Sequence, residues 1–137
     1  MSVAAASLSE MATEQCWEAL GTASVGRLAV RSGDGVDVFP VNFTVHEKAI
    51  YLRSAPGSKL AAITESPSVA FEVDGSQGQD HYWSVVVRGT AERLAYDSEI
   101  VGSGVLGLAT STPTAKWNFI RITPTAISGR RFTSARR

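Results

Sequence analysis

The sequence predicts a mainly β fold: a barrel of about six or seven antiparallel strands with two or three short helices. Apolar and polar residues alternate along several short runs, and residues typical of tight turns separate these runs. Most neighbouring runs are close enough to pair as hairpins, and closing such a sheet into a barrel leaves no strand edge exposed. The 137 residues, 44% of them apolar, fit one domain with a modest core.

The first half of the chain carries clear capping and turn signals. Ser9 is suited to cap a helix over about 10–20, which Gly21 ends. Strands are predicted over 25–30 and 36–46, with a turn at 33–35 between them. Alternation along the second of these strands predicts which side chains face the core: Phe39, Val41, Phe43 and Val45.

The second half contains a second helix and several short strands. A turn at 47–48 leads into a strand over 49–54, which Pro56 and Gly57 end. A helix is predicted over 58–64, and strands over 68–73, 82–94, 117–122 and 126–132, with connections at 75–79 and 123–125. Gly89 within the valine-rich strand indicates a bulge or a close backbone approach. The segment 97–108 is either a helix capped by Asp97 or irregular, because its glycines weaken a helix.

Composition narrows the class of protein. Thirteen basic residues balance thirteen acidic ones, which argues against a nucleic-acid-binding protein. Cys16 is the single cysteine, so we expect no intrachain disulfide and no cysteine metal site. With only two histidines besides, we expect no metal at all, and we interpret Cys16 as a buried, inert thiol.

The chain carries no sign of a membrane segment. No apolar run reaches the roughly 18 residues that a span needs, and the start lacks the basic region of a secretory signal. We therefore expect a cytoplasmic protein without membrane contact. Residues 1–7 are predicted to form a disordered leader, 8–132 the folded domain, and 133–137 a flexible tail.

The stretch from Arg53 to Lys59 is the most informative for chemistry. Arg53 and Ser54 end a strand, a Pro-Gly turn follows, and a helix then begins near Lys59. A helix N-terminus with an arginine fork and a lysine suits an anion such as phosphate. The alternative is a solvated turn with surface charges. Nucleophile elbows, P-loops and dinucleotide fingerprints are absent from the sequence, so any reaction would depend on a cofactor.

The order of the short motifs resembles the pyridoxamine 5′-phosphate oxidase-like, FMN-binding split-barrel family, in its short bacterial branch of flavin nucleotide-binding proteins. The resemblance covers about residues 8–132, and its order and spacing are more specific than any one piece. The pieces are Leu8-Ser9, Val25-Gly26-Arg27-Leu28-Ala29-Val30, Phe39-Pro40-Val41-Asn42-Phe43, Leu52-Arg53-Ser54, Gly57-Ser58-Lys59-Leu60, Val69-Ala70-Phe71-Glu72-Val73-Asp74, Trp83-Ser84-Val85-Val86-Val87-Arg88-Gly89, Ile122-Thr123-Pro124 and Ser128-Gly129-Arg130-Arg131.

The resemblance implies a split-barrel homodimer that holds one flavin mononucleotide in each of two clefts between the subunits. Its protein would supply binding contacts, and the flavin would carry out hydride or electron transfer on a small substrate. Catalytic side chains are not identified. The implied contacts are Pro40, Val41 and Asn42 beside the isoalloxazine ring, Arg53, Ser54 and Lys59 at the phosphate and ribityl chain, Trp83 and Ser84 facing the cofactor, and Arg130 reaching it from the partner's C-terminal strand.

Several alternatives stay open. Asn42 is also suited to satisfying a strand end, and Trp83 to packing in a dimer core. Some relatives use the deazaflavin F420 and some bind haem, for which His46 is the histidine to check. A non-catalytic binding dimer and a member that has lost its cofactor are further alternatives. The segment around Arg130 lacks the tryptophan and histidine of the vitamin-oxidising members, so we do not expect vitamin B6 oxidation.

Overall fold

Seven antiparallel strands and two helices make up the described part of the chain. The computed structural model describes residues 7–54, 58–94, 103 and 118–133. In chain order the elements are β1 Ser7–Glu10, α1 Thr13–Gly21, β2 Val25–Ser32, β3 Gly35–His46, β4 Ala49–Ser54, α2 Ser58–Glu65, β5 Ser68–Gln77, β6 His81–Arg93 and β7 Asn118–Thr133. The fold is therefore mainly β, as the alternation predicted.

The strands form one sheet that closes on itself. Their order is β1-β7-β4-β3-β2-β5-β6, and β6 also pairs with β7, which completes a six-stranded ring. β1 lies outside that ring, where it pairs with the end of β7. β3 changes partner along its length, because residues 35–42 pair with β2 and residues 43–46 pair with β4. The architecture is that of a split barrel.

The barrel interior holds the core. Phe71 is fully buried there, and its ring meets Phe43 edge-to-face at a centroid distance of 5.0 Å. The predicted apolar face of β3 is confirmed, since Val41 and Phe43 are buried and Phe39 and Val45 pack against the core. Helices and strands both contribute buried side chains, among them Cys16, Leu20, Leu28, Val30, Ile50, Leu52, Ile63, Val73, Val85, Val87, Ile120 and Ile122.

Two predicted hairpin turns are confirmed. Glu47 and Lys48 join β3 to β4, and both have a positive φ, at 49° and 57°. This left-handed pair matches the twist of the flanking strands, as two-residue hairpin loops require. Gly33, with φ at 62°, begins the turn between β2 and β3. These turns fix the register of the β2–β3–β4 meander.

The bulge predicted at Gly89 is also confirmed. The register between β6 and β7 shifts between Arg88 and Gly89. Gly89 lies opposite Pro124, and a Cβ atom at Gly89 would collide with the carbonyl oxygen of Thr123. Glycine is therefore required by the close approach of two backbones.

The predicted start of the first helix was wrong. Ser9 lies in β1, opposite Arg131 of β7, and the helix begins at Thr13 with Ala12 as its N-cap. The side chain of Gln15 accepts a hydrogen bond from the Ala12 N–H at 2.8 Å. Pairing with the distant β7 uses the backbone of residues 7–10, so a long-range ladder overrides the local capping signal.

Two further boundaries differ from the prediction. The segments 117–122 and 126–132 were predicted as separate strands, yet β7 runs unbroken from Asn118 to Thr133. Pro124 is tolerated within it because it lies at the bulge, where the ladder is already irregular. The predicted loop at 75–79 is shorter, since β5 continues to Gln77 and pairs with His81.

Some predictions fall on parts of the chain outside this description. The segment 97–108 lies outside the described residues except for Ser103, which is buried. Ser7 and Thr133 pair at the ends of β1 and β7, and the other residues of the predicted leader and tail are likewise outside. Neither helix in the described part of the chain is long and apolar enough to cross a bilayer.

Candidate functional site

The residues predicted to bind a cofactor lie on β3, β4, α2, β6 and β7, so strand register decides which of them meet. Side chains alternate between the barrel interior and its outer surface. Asn42, Arg53, Ser84 and Arg130 all belong to the outer face, because their neighbours in sequence Val41, Leu52, Val85 and Gly129 are buried.

Asn42 and Arg53 form a first group. The β3–β4 ladder ends at the Phe43–Leu52 pair, and continuing its register by one residue sets Asn42 opposite Arg53. Opposed side chains on one face have Cβ atoms about 5 Å apart. Both side chains are half-buried, and α2 begins four residues after Ser54. Asn42 and Arg53 therefore lie on the outer face at the end of the β3–β4 ladder, with Arg53 five residues before the start of α2 and its Nε enclosed by protein.

Ser84 and Arg130 form a second group. They pair directly across β6 and β7, and Asp74 of β5 pairs with Ser84 from the other side. Glu10 of β1 pairs with Arg130. The outer face therefore carries a row of three charged side chains and one hydroxyl across four strands.

Arg27 joins the two groups. It lies two residues from Val25, which pairs with Asn42, and it pairs with Glu72 of β5. Its Nε donates a hydrogen bond to Glu72 Oε1 at 2.8 Å, and its Nη2 lies 2.6 Å from Asp74 Oδ2. We call the outer-face residues Asn42, Arg53, Val25, Arg27, Glu72, Asp74, Ser84 and Arg130 the outer band.

Three of the predicted residues have other surroundings. The Val41 and Trp83 side chains are buried in the barrel, so these positions offer the outer band their backbone only. Trp83 packs on Gly75, where a Cβ atom would lie 2.8 Å from the indole ring. Pro40 is exposed on the outer face, opposite Arg27. The side chains of Ser54 and Lys59 are outside the described part of the chain.

Sequence reasoning missed the carboxylates of the outer band. Glu72 and Asp74 are two residues apart on a strand, a spacing that places both on one face. Burial raises the pKa of Glu72, a hydrogen bond to Asp74 raises it further, and Arg27 opposes both effects. The hydrogen bond to Glu72 in turn raises the pKa of Arg27. Arg27 thus forms ion pairs with both carboxylates, Glu72 and Asp74.

Two depressions flank the end of the β5–β6–β7 ribbon. One, of about 350 Å³, is lined by Asp74, Ser84, Tyr82 and Phe132 among others. The rings of Tyr82 and Phe132 stack at 5.5 Å, and Phe132 is 39% exposed. The other depression, of about 430 Å³, includes His81 and Arg131. Period-2 alternation could have placed Tyr82 on the outer face with Ser84, but its contact with Phe132 depends on the pairing of β6 with β7.

The histidines and the cysteine have separate positions. His46 lies at the β3–β4 turn beside Tyr51 and near Glu47, roughly 13 Å along the strand from Asn42. Burial raises the pKa of the Cys16 thiol, which confirms its interpretation as a buried group. Within the described residues, no three His, Cys, Asp or Glu side chains converge as metal ligands.

The donor set of the outer band fits a flavin nucleotide. A guanidinium at Arg53 beside a helix N-terminus suits a phosphate. The Asn42 amide and Ser84 hydroxyl suit the polar edge of a ring, and exposed Val25 between them suits its apolar face. At position 83 the fit is through the backbone, since the indole is turned inward.

Comparisons with known proteins give a consistent family. A family model described as pyridoxamine 5′-phosphate oxidase matches residues 12–131. Two uncharacterized proteins of Mycobacterium tuberculosis strains are each 32% identical over 88 residues, which is 64% of this chain and 79% of theirs.

Solved structures are similar over nearly the whole chain. A Corynebacterium glutamicum protein, provisionally named a pyridoxamine 5′-phosphate oxidase, is 41% identical with a TM-score of 0.82, covering 93% of this chain and 100% of its own. A FAD-binding protein of Mesorhizobium loti is 26% identical with a TM-score of 0.85, covering 95% and 100%. The FAD-binding protein of Mycobacterium smegmatis is 28% identical with a TM-score of 0.77, covering 92% and 99%.

Proposed function

Because the chain belongs to the pyridoxamine 5′-phosphate oxidase family, we propose that it is a cytoplasmic homodimer that binds FMN and transfers hydride or electrons to a small substrate. The observation that carries the proposal is the outer band. Asn42 and Arg53 each lie one residue beyond the last β3–β4 pair, Ser84 pairs with Arg130, and Arg27 lies between the two groups. These residues are far apart in the sequence, and their alignment on one face is what a shared ligand would require.

The phosphate end of the site is assigned to the β4–α2 connection. Arg53 offers a planar fork of donors, and Lys59 a mobile point charge. The first turn of α2 has N–H groups without helical partners, which favour an anion. In this assignment the protein binds the nucleotide by charge, so affinity for it falls as salt rises.

The ring end is assigned to Asn42, Val25 and Ser84. The amide of Asn42 and the hydroxyl of Ser84 would orient the ring's polar edge by hydrogen bonds, and Val25 would exclude water from its face. When bound, the flavin supplies the redox chemistry. The outer band supplies orientation, and the Glu72–Asp74–Arg27 cluster keeps charge fixed beside the ring.

The proposed dimer rests on the exposed apolar side chains around the outer band. Leu8 is 65% exposed and lies opposite Phe132, and Val25 is 47% exposed opposite Asn42. Apolar side chains beside a charged band are typical of an interface between subunits. In such a dimer, Arg130 of one subunit would approach the flavin held by the other.

FAD is a second candidate ligand, because two of the similar solved structures are of FAD-binding proteins. In this proposal FMN, FAD and F420 would each present a phosphate to the same β4–α2 connection. The aromatic pair Tyr82 and Phe132 would favour FAD if the adenine stacks there. Haem is less compatible with the outer band, since His46 lies at the far turn of β3.

Native mass spectrometry of the purified protein tests the proposal directly. We expect the mass of a dimer carrying two flavin nucleotides, with the ligand mass distinguishing FMN, FAD, F420 and haem. Clean protein that gains no nucleotide on titration with FMN, FAD or F420 would refute the flavin assignment.

A matched pair of lysine variants tests the phosphate end. Lys59→Ala removes one charge-assisted contact, worth about 1.5–3 kcal/mol, so we expect nucleotide affinity to fall about tenfold or more. Lys48→Ala is the control, because Lys48 is exposed in the β3–β4 turn and pairs with Glu14. Equal affinities in both variants, measured by fluorescence titration, would remove Lys59 from the site.

A further inference from the structure

A third depression lies on the outer surface, next to the outer band. It has a volume of about 430 Å³ and lies over β2, β5 and β6. Its base is formed by small side chains, including Ala29 and Ala70, which pair with each other. A cavity of this size exceeds a single water or ion and accommodates a small organic molecule.

Two arginines border this depression. Arg31 lies on β2 and Arg88 on β6, with β5 between them, and both side chains are exposed. Ala70 pairs with Arg88. Strands β2 and β6 are separated by two strand spacings, about 10 Å. Because both side chains are long and start from the same face, their guanidinium groups are able to converge on one ligand over Ala70.

The electrostatic setting favours an anion. None of the described residues that line the depression is acidic. The nearest carboxylates on that face of β5, Glu72 and Asp74, already hold Arg27. Within the described residues, neither Arg31 nor Arg88 forms an ion pair.

Hydroxyl groups complete the rim. Ser68 pairs with Thr90 across β5 and β6, and both line the depression. A phosphate accepts hydrogen bonds from hydroxyl donors as well as from guanidinium groups. The site adjoins the outer band, since Ala29 and Ala70 lie two residues along their strands from Arg27 and Glu72. Its Arg88 lies four residues along β6 from Ser84, roughly 13 Å.

We propose that this depression binds a phosphomonoester with a short apolar body, held between Arg31 and Arg88 over Ala29 and Ala70. Two guanidinium groups match the two charges of the phosphate dianion. The alanine base accepts the apolar body, and Ser68 and Thr90 donate to the remaining phosphate oxygens. A site of this kind would let a second metabolite bind the same subunit that holds the flavin.

Phenyl phosphate titrated into the protein, followed by amide chemical shifts, tests this proposal. We expect shifts around Ala70 and Thr90, and about a tenfold loss of affinity in Arg31→Gln and in Arg88→Gln. Arg93→Gln is the control, because Arg93 lies on β6 outside the depression and its substitution removes the same charge. Lys59→Ala is expected to keep full affinity, which separates this site from the nucleotide phosphate site.

Three results would overturn the proposal. Unchanged affinity in both arginine variants would show that the probe binds elsewhere. Benzoate, a monoanion of similar size, binding as tightly as phenyl phosphate would contradict the match to a dianion. Dissociation of the dimer in Arg31→Gln or Arg88→Gln, seen by native mass spectrometry, would mean that a second copy of the chain covers this face.

Discussion

The pKa of Glu72 depends on its partial burial and on two charged neighbours. It is about one-third exposed, hydrogen-bonded to Asp74, and paired with Arg27 at 2.7 Å. Removal from water and the neighbouring carboxylate both favour its neutral form, and their effect exceeds that of Arg27. The pKa of Glu72 is therefore raised even though Arg27 contacts it.

This raised pKa makes a prediction about stability. The folded protein holds the Glu72 proton more tightly than the unfolded chain, so Glu72 lowers stability as pH rises from its ordinary pKa to the raised value. We expect wild type to lose stability relative to Glu72→Gln as the pH rises above the ordinary glutamate pKa, measured by urea unfolding at a series of pH values. Glu18→Gln, on the exposed side of α1, is the control. A stability difference independent of pH would contradict the assignment.

For single residues, the sequence identified candidate side chains better than it identified which of them contact one another. Asn42 and Arg53 are implied by the family resemblance, and the structure places each one residue beyond the last β3–β4 pair. The inward position of Trp83 was readable from alternation, since Val85 and Val87 share its face and are buried. The contact of Arg27 with Glu72 was not readable, because it depends on β2 pairing with β5 across 45 residues of chain.

Among the elements, β6 and β7 form the longest pairing, and Gly89 interrupts its register. Gly89 was recognisable from sequence as a glycine inside an apolar strand. The unbroken course of β7 was not, because Pro124 ordinarily ends a strand and its tolerance depends on Gly89 opposite. The place of Pro124 inside β7 follows from Gly89 opposite it only when the pairing of β6 with β7 is known.

The bulge leads to a prediction about glycine. Gly89→Ala would press a methyl group into the Thr123 carbonyl, a backbone atom that cannot rotate away. Overpacking of this kind costs about 1–3 kcal/mol of unfolding free energy. Gly35→Ala is the control, because its Cβ would be 3.7 Å from the nearest atom and its φ is not positive. Equal unfolding midpoints for the two variants would show that β7 moves aside.

For the whole molecule, exposed apolar side chains lie on more than one part of the barrel surface. Leu8 and Val36 are almost equally exposed, at 65% and 67%, on different parts of the barrel. Leu8 adjoins the outer band, whereas Val36 borders the Arg31–Arg88 depression. Alternation in the sequence predicted the fold class. Which exposed side chains share one surface depends on how the strands close into the barrel.

This difference gives a matched test of the dimer. Leu8→Glu would bury a charge in the proposed interface, so we expect the dimer dissociation constant to rise tenfold or more. Val36→Glu places the same charge at an equally exposed site outside that interface and should leave the dimer intact. Light scattering after size exclusion gives both masses. Dissociation by Val36→Glu alone would move the interface to the opposite face.

β7 has a consequence for how the protein forms during synthesis. It pairs with β4 at its start, β6 along its length and β1 at its end, so four strands meet in one late segment. Contacts between residues far apart in the sequence slow folding, because the chain loses the entropy of the intervening loop before the stabilising contact forms. The barrel cannot close while β7 is still in the ribosome, and β4 and β6 keep open edges until then. Arg130 therefore joins the outer band in the same step that completes the fold.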